Sequence, residues 1–325
     1  MDTVKWGLIG CGDIANKRVA PALRELSNCE LLAVNRKRFE LAREFADKFG
    51  AKKCYKTWQE LLGDEKIEAV YIATPINLHC EQTIAAANAG KHVLCEKPMA
   101  LNPGQCDRMI EACNVNNVKL GIAYYRHFYP IIERIKQILR SGQIGRPIIA
   151  QINAFEYFDP PADSHRRWFL KKAESGGGPM FDFGCHRIEV LLNLFGKTKS
   201  VNGFVDNIFF DREVEDTCTA HIAFESGLRA VLNVSHAIFE SQDSLDIFGT
   251  EGSLHVPKLN GAGLTVITAE KKWTQQHRRA DNLHRPLIED FARAVLENKD
   301  PVVNGTIGKE VALIEQRVYA DDAGN

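Results

Sequence analysis

The chain has 325 residues, 45% of them hydrophobic and 26% charged, with a formal net charge of −1. That length exceeds one ordinary hydrophobic core, so two domains are expected. The near-neutral charge gives no electrostatic case for nucleic acid or an anionic membrane, and no apolar run approaches a membrane span.

Strand and helix signatures alternate from the start of the chain. Residues 4–9 read as a short apolar strand, 13–26 as a helix and 31–34 as a second strand. Helical periodicity over 39–49 ends at Gly50, placed to cap the C-terminus. A strand at 69–73 leads into a helix at 78–89 closed by Gly90. A strand at 93–95, a helix at 102–116 and a strand at 119–123 complete the series. Repeated βα units of this kind predict an α/β fold with a doubly wound parallel sheet.

The texture changes after Tyr124, so the expected division is a first domain of 1–123 and a second of 124–325. Residues 129–140 form an amphipathic helix closed by Ser141-Gly142, and 147–155 a long strand. A polar, proline-containing loop follows, with a helical turn at 166–170. Ser175-Gly176-Gly177-Gly178-Pro179 leads into a helix over 180–195. From 201 to 268 the chain reads as successive strands, clearest at 218–224, 228–235, 244–248 and 263–268. Gly227 and Glu251-Gly252 supply turns. Strands without intervening helices predict an antiparallel, meander-like sheet, giving an α+β second domain. Helices at 287–297 and 308–320 close the chain.

Nine cysteines are irregularly spaced, with no C-x-x-C pair. Cys11, Cys54, Cys95 and Cys185 sit in or beside apolar segments, where a thiol packs as a small hydrophobe. Neither a disulfide framework nor a metal site is expected. The opening residues Met1-Asp2-Thr3-Val4-Lys5-Trp6 carry no secretion signal, so a cytoplasmic protein is expected.

The run Gly7-Leu8-Ile9-Gly10-Cys11-Gly12-Asp13-Ile14-Ala15 lies between the first strand and the first helix. Gly10 permits a tight turn, Gly12 lets the backbone approach a pyrophosphate, and Ala15 allows close helix–strand packing. Asp13 and Ile14 open the helix, whose N-terminal amides suit phosphate. A dinucleotide is therefore expected here. The second strand ends in Asn35-Arg36-Lys37-Arg38, where an NAD site usually carries an acid for the ribose 2′-hydroxyl. Guanidinium groups at Arg36 and Arg38 suit a 2′-phosphate, so NADP is expected in preference to NAD. After the third strand, Thr74, Pro75 and Asn77 can contact the cofactor, or Thr74 and Asn77 can cap the next helix. His79 is a cofactor neighbour or a packed helix histidine.

Lys97, in His92-Val93-Leu94-Cys95-Glu96-Lys97-Pro98, stands at the carboxyl end of a short buried strand that Pro98 terminates. Ligands of open α/β sheets sit just outside such ends. Glu96 is placed to orient the ammonium group or to bind a ligand hydroxyl. In the second domain, Asp182 and His186 are four apart on a helix and share a face, with Glu189 and Asn193 continuing the stripe. Phe181 and Phe183 flank the aspartate, Gly184 thins the helix, and three glycines precede it. Those glycines favour close backbone or ligand approach over a plain surface Asp–His pair. Oxidation of an alcohol needs a group to remove the hydroxyl proton, and Lys97 with His186 can supply it.

Together these segments resemble the Gfo/Idh/MocA family of glucose–fructose oxidoreductases and inositol dehydrogenases. The matching motifs are Gly10-x-Gly12-x-x-Ala15, Thr74-Pro75-x-x-x-His79, Glu96-Lys97-Pro98, Arg126-x-x-x-Pro130 and Gly176-Gly177-Gly178-x-x-x-Asp182-x-Gly184-x-His186. The resemblance implies a Rossmann domain followed by a domain with a large open, mostly antiparallel sheet that mediates a homodimer or homotetramer. It implies an NAD(P)-dependent oxidoreductase acting on a sugar, sugar derivative, polyol or cyclitol. Lys97 would hydrogen-bond the reacting hydroxyl and contact the nicotinamide, often from a cis Lys–Pro bond. Asp182 and His186 would complete the set, with His186 the leading acid/base, and Arg126 would join the cofactor residues. Trp168 matches an aromatic position near the site; the arginine that often follows it is Phe169 here. Tyr125, Tyr157 and Arg166 are candidate substrate contacts.

Two alternatives remain open on this fold. One is a glycosidase that retains NAD and oxidises its substrate transiently, distinguished by hydrolysis without net cofactor turnover. The other is a non-catalytic dinucleotide sensor, which has no need of Lys97, Asp182 and His186 together.

Overall fold

The computed structural model describes residues 3–320. The chain forms two compact units: residues up to 125 together with 280–312, and residues 126–279 together with the segment from 313.

In the first unit, β1 (Val4–Ile9), β2 (Cys29–Asn35), β3 (Lys53–Tyr55), β4 (Ala69–Ile72), β5 (His92–Cys95) and β6 (Leu120–Ile122) form one parallel sheet in the order β3-β2-β1-β4-β5-β6. The strand order reverses between β1 and β4, which is where such sheets bind ligands. Strands β4 and β5 are almost wholly buried, as expected of parallel strands covered on both faces. The helices are α1 (Ala20–Glu25), entered through a π-helical turn at Ala15–Val19, then α2 (Phe39–Phe49), α3 (Trp58–Leu62), α4 (Ile76–Asn88) and α5 (Pro103–Val115). Gly50 caps α2 with φ +76°. Strand β3 and helix α3 are absent from the sequence reading. Helix α3 carries a capping box, Thr57 with Glu60.

The second unit contains α6 (Pro130–Arg140), β7 (Pro147–Tyr157), α7 (Lys172–Ser175) and α8 (Cys185–Phe195), which follows a π-helical turn at Met180–Gly184. Strands β8 (Thr198–Asp206), β9 (Thr217–Phe224), β10 (Arg229–Ser235), β11 (Ala237–Gly249), β12 (Gly252–Val256), β13 (Gly263–Thr268) and β14 (Lys272–Gln276) follow. The eight-stranded sheet runs β14-β13-β12-β11-β7-β10-β9-β8. It is antiparallel except that β7 pairs parallel with β10. The predicted meander is therefore split in two by a strand from earlier in the chain. The reason is burial: Ala150, Ile152 and Ala154 of β7 share a core face with Ala230, Leu232 and Val234 of β10 and Leu245 and Ile247 of β11. The opposite face exposes Ile149, Phe204 and Phe248 beside a polar ladder of Thr219, Asn233 and Asn153.

The expected boundary at 123 assigned every later residue to the second domain. Instead α9 (Arg285–Leu296) and the start of α10 (Gly305–Ala320) belong to the first unit. Phe291 of α9 packs against Trp6 of β1, ring centroids 5.6 Å apart. A Cβ on Gly121 of β6 would lie 2.6 Å from the Phe291 ring. Gly305 and Gly308 similarly let α10 approach Leu120 and Met99 closely.

Candidate active site

The glycine turn is pinned on both sides where it leaves β1. Gly10 N–H donates to Asn35 O at 3.0 Å, and Ala73 N–H to Ile9 O at 2.8 Å. Gly10 has φ +94°, and a Cβ there would sit 2.6 Å from Ala73 O, so only glycine fits. Around Gly12 nothing lies within 4 Å of where a Cβ would be. The turn runs directly into a helix whose first amides have no intrahelical acceptor. An approachable backbone next to free amides fits a pyrophosphate. Asp13 is exposed, 3.8 Å from Lys17, and Ile14 is half-buried.

Arg36 Nη1 donates to Cys11 O at 2.8 Å, which lays the guanidinium against the glycine turn. Asn35 differs from expectation: it is buried and its amide donates to Tyr55 O at 3.1 Å, bracing β3. Arg38 is exposed just before α2. The capping alternative for Thr74 and Asn77 does not hold. The N-cap of α4 is Pro75, with no side-chain cap bond; Thr74 Oγ1 donates to Gln82 Oε1 at 2.7 Å, and Asn77 is exposed. His79 is buried, with Nδ1 3.0 Å from Pro98 O and Nε2 2.9 Å from Thr74 O. It is a packed helix histidine joining the turns after β4 and β5, with no ring nitrogen left for a cofactor. Burial pushes its imidazole below the usual range, against the pull of both carbonyls.

Those two turns present Lys97. The Lys97–Pro98 bond is cis, and Lys97 is half-buried. Glu96 beside it is buried and fully engaged. Its Oε1 accepts from Tyr71 Oη at 2.8 Å and lies 3.2 Å from His284 Nε2, and its Oε2 accepts from Lys97 N–H at 3.2 Å. Burial alone would raise the Glu96 carboxyl; the His284 bond and charge, the Lys97 charge and the Tyr71 hydroxyl outweigh it and hold the group below the usual range. Glu96 is thus the mount of the turn. The Tyr125 ring packs at a tilt against His284, ring centroids 4.7 Å apart.

In the second unit, Asp182 lies in the π-helical turn and His186 in the first turn of α8. Such turns are frequent at functional sites. His186 is 3% exposed and the Asp182 side chain 16%, which rules out a solvated surface pair. Residues 185–191 are all buried, so the helix has no solvated face there that could carry a plain surface pair. Arg187 is buried in an ion pair with Asp243 at 2.5 Å, and Glu189 Oε1 lies 2.6 Å from His127 Nδ1. Arg126 is buried, and its charge acts on Glu189.

The three glycines serve the chain itself. A Cβ at Gly178 would strike the Glu215 carbonyl, one at Gly177 the Tyr319 hydroxyl, and one at Gly176 the Phe181 ring. Glu215, buried, accepts from Gly178 N–H at 2.7 Å, Met180 N–H at 3.3 Å and Tyr319 Oη at 2.6 Å. This carboxyl therefore fixes the entry to the turn that carries Asp182. Burial raises it, in spite of those bonds.

Sequence reasoning missed His236 and Glu156. His236 Nε2 lies 3.5 Å from Asp182 Oδ2 and 3.9 Å from Glu156 Oε1. Neither residue sits in a motif, and the pairing of β7 with both β10 and β11 brings them together. Trp168 stacks on Phe169 at 3.9 Å, and the Arg166 guanidinium lies 4.5 Å from the Phe158 ring centroid. Tyr157 is exposed, edge-on to Phe210. All nine cysteines are free thiols, and no helix among the described residues is long and apolar enough to cross a membrane.

Comparison with known proteins matches residues 4–124 to an oxidoreductase family with an NAD-binding Rossmann fold, and residues 132–255 to the GFO/IDH/MocA C-terminal domain. Myo-inositol 2-dehydrogenase of Thermotoga maritima is 27% identical over 96% of this chain and 94% of its own. 1,5-Anhydro-D-fructose reductase of Ensifer adhaerens is 28% identical over 94% of this chain and 92% of its own. Levoglucosan dehydrogenase, solved with NADH and levoglucosan, superposes with a TM-score of 0.90 at 24% identity, covering 99% of this chain and 98% of that one; this is a likeness of fold.

Proposed function

The chain belongs to the GFO/IDH/MocA family of oxidoreductases, and we propose that it moves a hydride between NADP(H) and a hydroxyl-bearing carbon of a sugar, sugar derivative, polyol or cyclitol. The observation that carries this reading is the turn after β5. Glu96 is held by Tyr71, His284 and the Lys97 amide, so Lys97 is delivered from a fixed mount at a strand end. Relatives named as inositol dehydrogenase and anhydrofructose reductase support the substrate class.

A bound nicotinamide would accept or supply the hydride. The turn at Gly10 and Gly12 would hold its pyrophosphate through backbone amides. Arg36, lying on Cys11 O, would pair with a 2′-phosphate, which favours NADP. In the first unit, Lys97 donates a hydrogen bond to the reacting oxygen and stabilises the alkoxide character that develops there. In the second unit, His186 takes the hydroxyl proton on an imidazole nitrogen during oxidation and returns it during reduction. Asp182, on the preceding turn, binds substrate polar groups. We further propose a cytoplasmic location, supported by nine free thiols that a reducing compartment preserves. A homodimer or homotetramer would form through the exposed sheet face that carries Ile149, Phe204 and Phe248.

A panel of sugars, polyols and cyclitols, assayed with NADP and NAD for net cofactor reduction, tests the reading. Net reduction with at least one member supports it. Hydrolysis of a glycoside without net cofactor turnover would overturn it in favour of a retained-cofactor glycosidase.

A further inference from the structure

The second unit gathers three groups, two of which no sequence motif announces: Glu156 near the end of β7 and His236 between β10 and β11, beside Asp182 in the π-helical turn. One nitrogen or oxygen from each lies within 4.8 Å of the others. Such a set invites a metal ion, and the proton on His236 decides the matter. Arg212 Nη2 is 3.2 Å from His236 Nδ1. A guanidinium only donates, so Nδ1 accepts and the ring proton resides on Nε2. Arg212 is itself fixed, through Nη1 to Phe158 O at 3.1 Å and Nη2 to Glu215 O at 3.0 Å. The rings of Phe158 and Phe183 hold the imidazole at centroid distances of 4.9 and 5.1 Å. A protonated Nε2 has no lone pair to offer a metal.

Among the described residues that N–H has no hydrogen-bond partner, although His236 is only 1% exposed. It faces Asp182 Oδ2 and Glu156 Oε1 at 3.5 and 3.9 Å, too far to be satisfied by either. A buried donor left unmade is costly, and here it is aimed at two acceptors. The atom that completes the set must accept from Nε2–H and donate to a carboxylate. A hydroxyl does both, whereas an ammonium group cannot accept.

We propose that Glu156, Asp182 and His236 form a hydroxyl-reading subsite, in which His236 Nε2–H donates to an unreacting substrate hydroxyl that in turn donates to Asp182 or Glu156. The proposal rests on the reading of a polyhydroxylated substrate above. It adds that the substrate carries a second free hydroxyl and that a deoxy or amino compound at that position is rejected. Burial and the charge of Asp182 push the Glu156 carboxyl up, against His236, Arg166 and Arg187. Its partner role therefore extends to donation once protonated. His236, held in this tautomer by Arg212, sets specificity.

The test is a ¹H–¹⁵N histidine spectrum of the full chain with NADP present. His236 should show the Nε2-protonated tautomer. Manganese(II) should leave its signal as sharp as those of the other histidines, and at least one of myo-inositol, glucose, levoglucosan and glycerol at saturating concentration should shift it. Selective broadening by manganese, or no shift with any of the four, overturns the subsite. Turnover of a polyol that leaves His236 unmoved overturns the subsite and spares the oxidoreductase reading. A shift without turnover of any polyol spares the subsite and removes that reading. His236→Asn keeps an acceptor for Arg212 but is too short to place a donor where Nε2–H stood; it should raise the polyol KM at least about tenfold and leave the cofactor KM unchanged. An unchanged polyol KM in a folded variant contradicts the proposal.

Discussion

His284 Nε2 lies 3.2 Å from Glu96 Oε1, joining the segment that returns to the first unit with the carboxylate beside Lys97. That contact, with the charge of Lys97 and the Tyr71 hydroxyl, holds Glu96 below its ordinary value of 4.5 in spite of burial. A carboxylate held low stabilises the fold above its ordinary range, and the contribution is lost as pH falls through the folded value. Glu96→Gln should therefore lower stability at neutral pH and flatten the acid limb of the stability curve below about 4.5. Thermal melts from neutral to acid pH check this; an acid limb identical to that of the parent protein contradicts it.

Two glycines of one turn should fail in different ways. Gly10→Ala forces a side chain into φ +94° and against Ala73 O. It should cost at least about 2 kcal/mol and lower the melting temperature. Gly12→Ala meets open space, so stability should change by less than about 0.5 kcal/mol. Dinucleotide binding should nonetheless weaken at least about tenfold, because a methyl group would stand where the pyrophosphate approaches. Melting curves and cofactor titration on both variants separate the two effects.

Arg36 is expected to discriminate between cofactors. Its guanidinium lies on Cys11 O, where a 2′-phosphate would gain a charge-assisted pair. Arg36→Ala should weaken NADPH binding at least about tenfold and NADH binding by much less. Fluorescence titration reads both. Tighter binding of NADH than of NADPH by the parent protein would contradict the preference.

Much of the first unit was legible because its strands are continuous apolar runs separated by helices with capping signals, such as Gly50 after α2. Strand β3 has three residues and α3 has five, too few to show a period. The return of α9 was illegible, since nothing local encodes Phe291 packing on Trp6 and Gly121. The same holds for β7, whose place beside β10 is a non-local pairing. Motif spacing singles out the glycine turn, Lys97, Asp182 and His186 as candidates. It gives no sign of the partners of Asn35, Thr74 and the triple glycine, since Tyr55, Gln82 and Glu215 lie 20, 8 and 37 residues away. His236 and Arg212 carry their meaning only through a tautomer that a contact in the fold determines.

The central claim is that Lys97 holds the reacting hydroxyl. Lys97→Ala, compared with the parent protein in single-turnover hydride transfer on whichever panel member is oxidised, tests it most directly. The rate should fall at least about a hundredfold while NADPH affinity stays within about twofold. Near-parental transfer in a folded variant would remove the lysine from the chemistry.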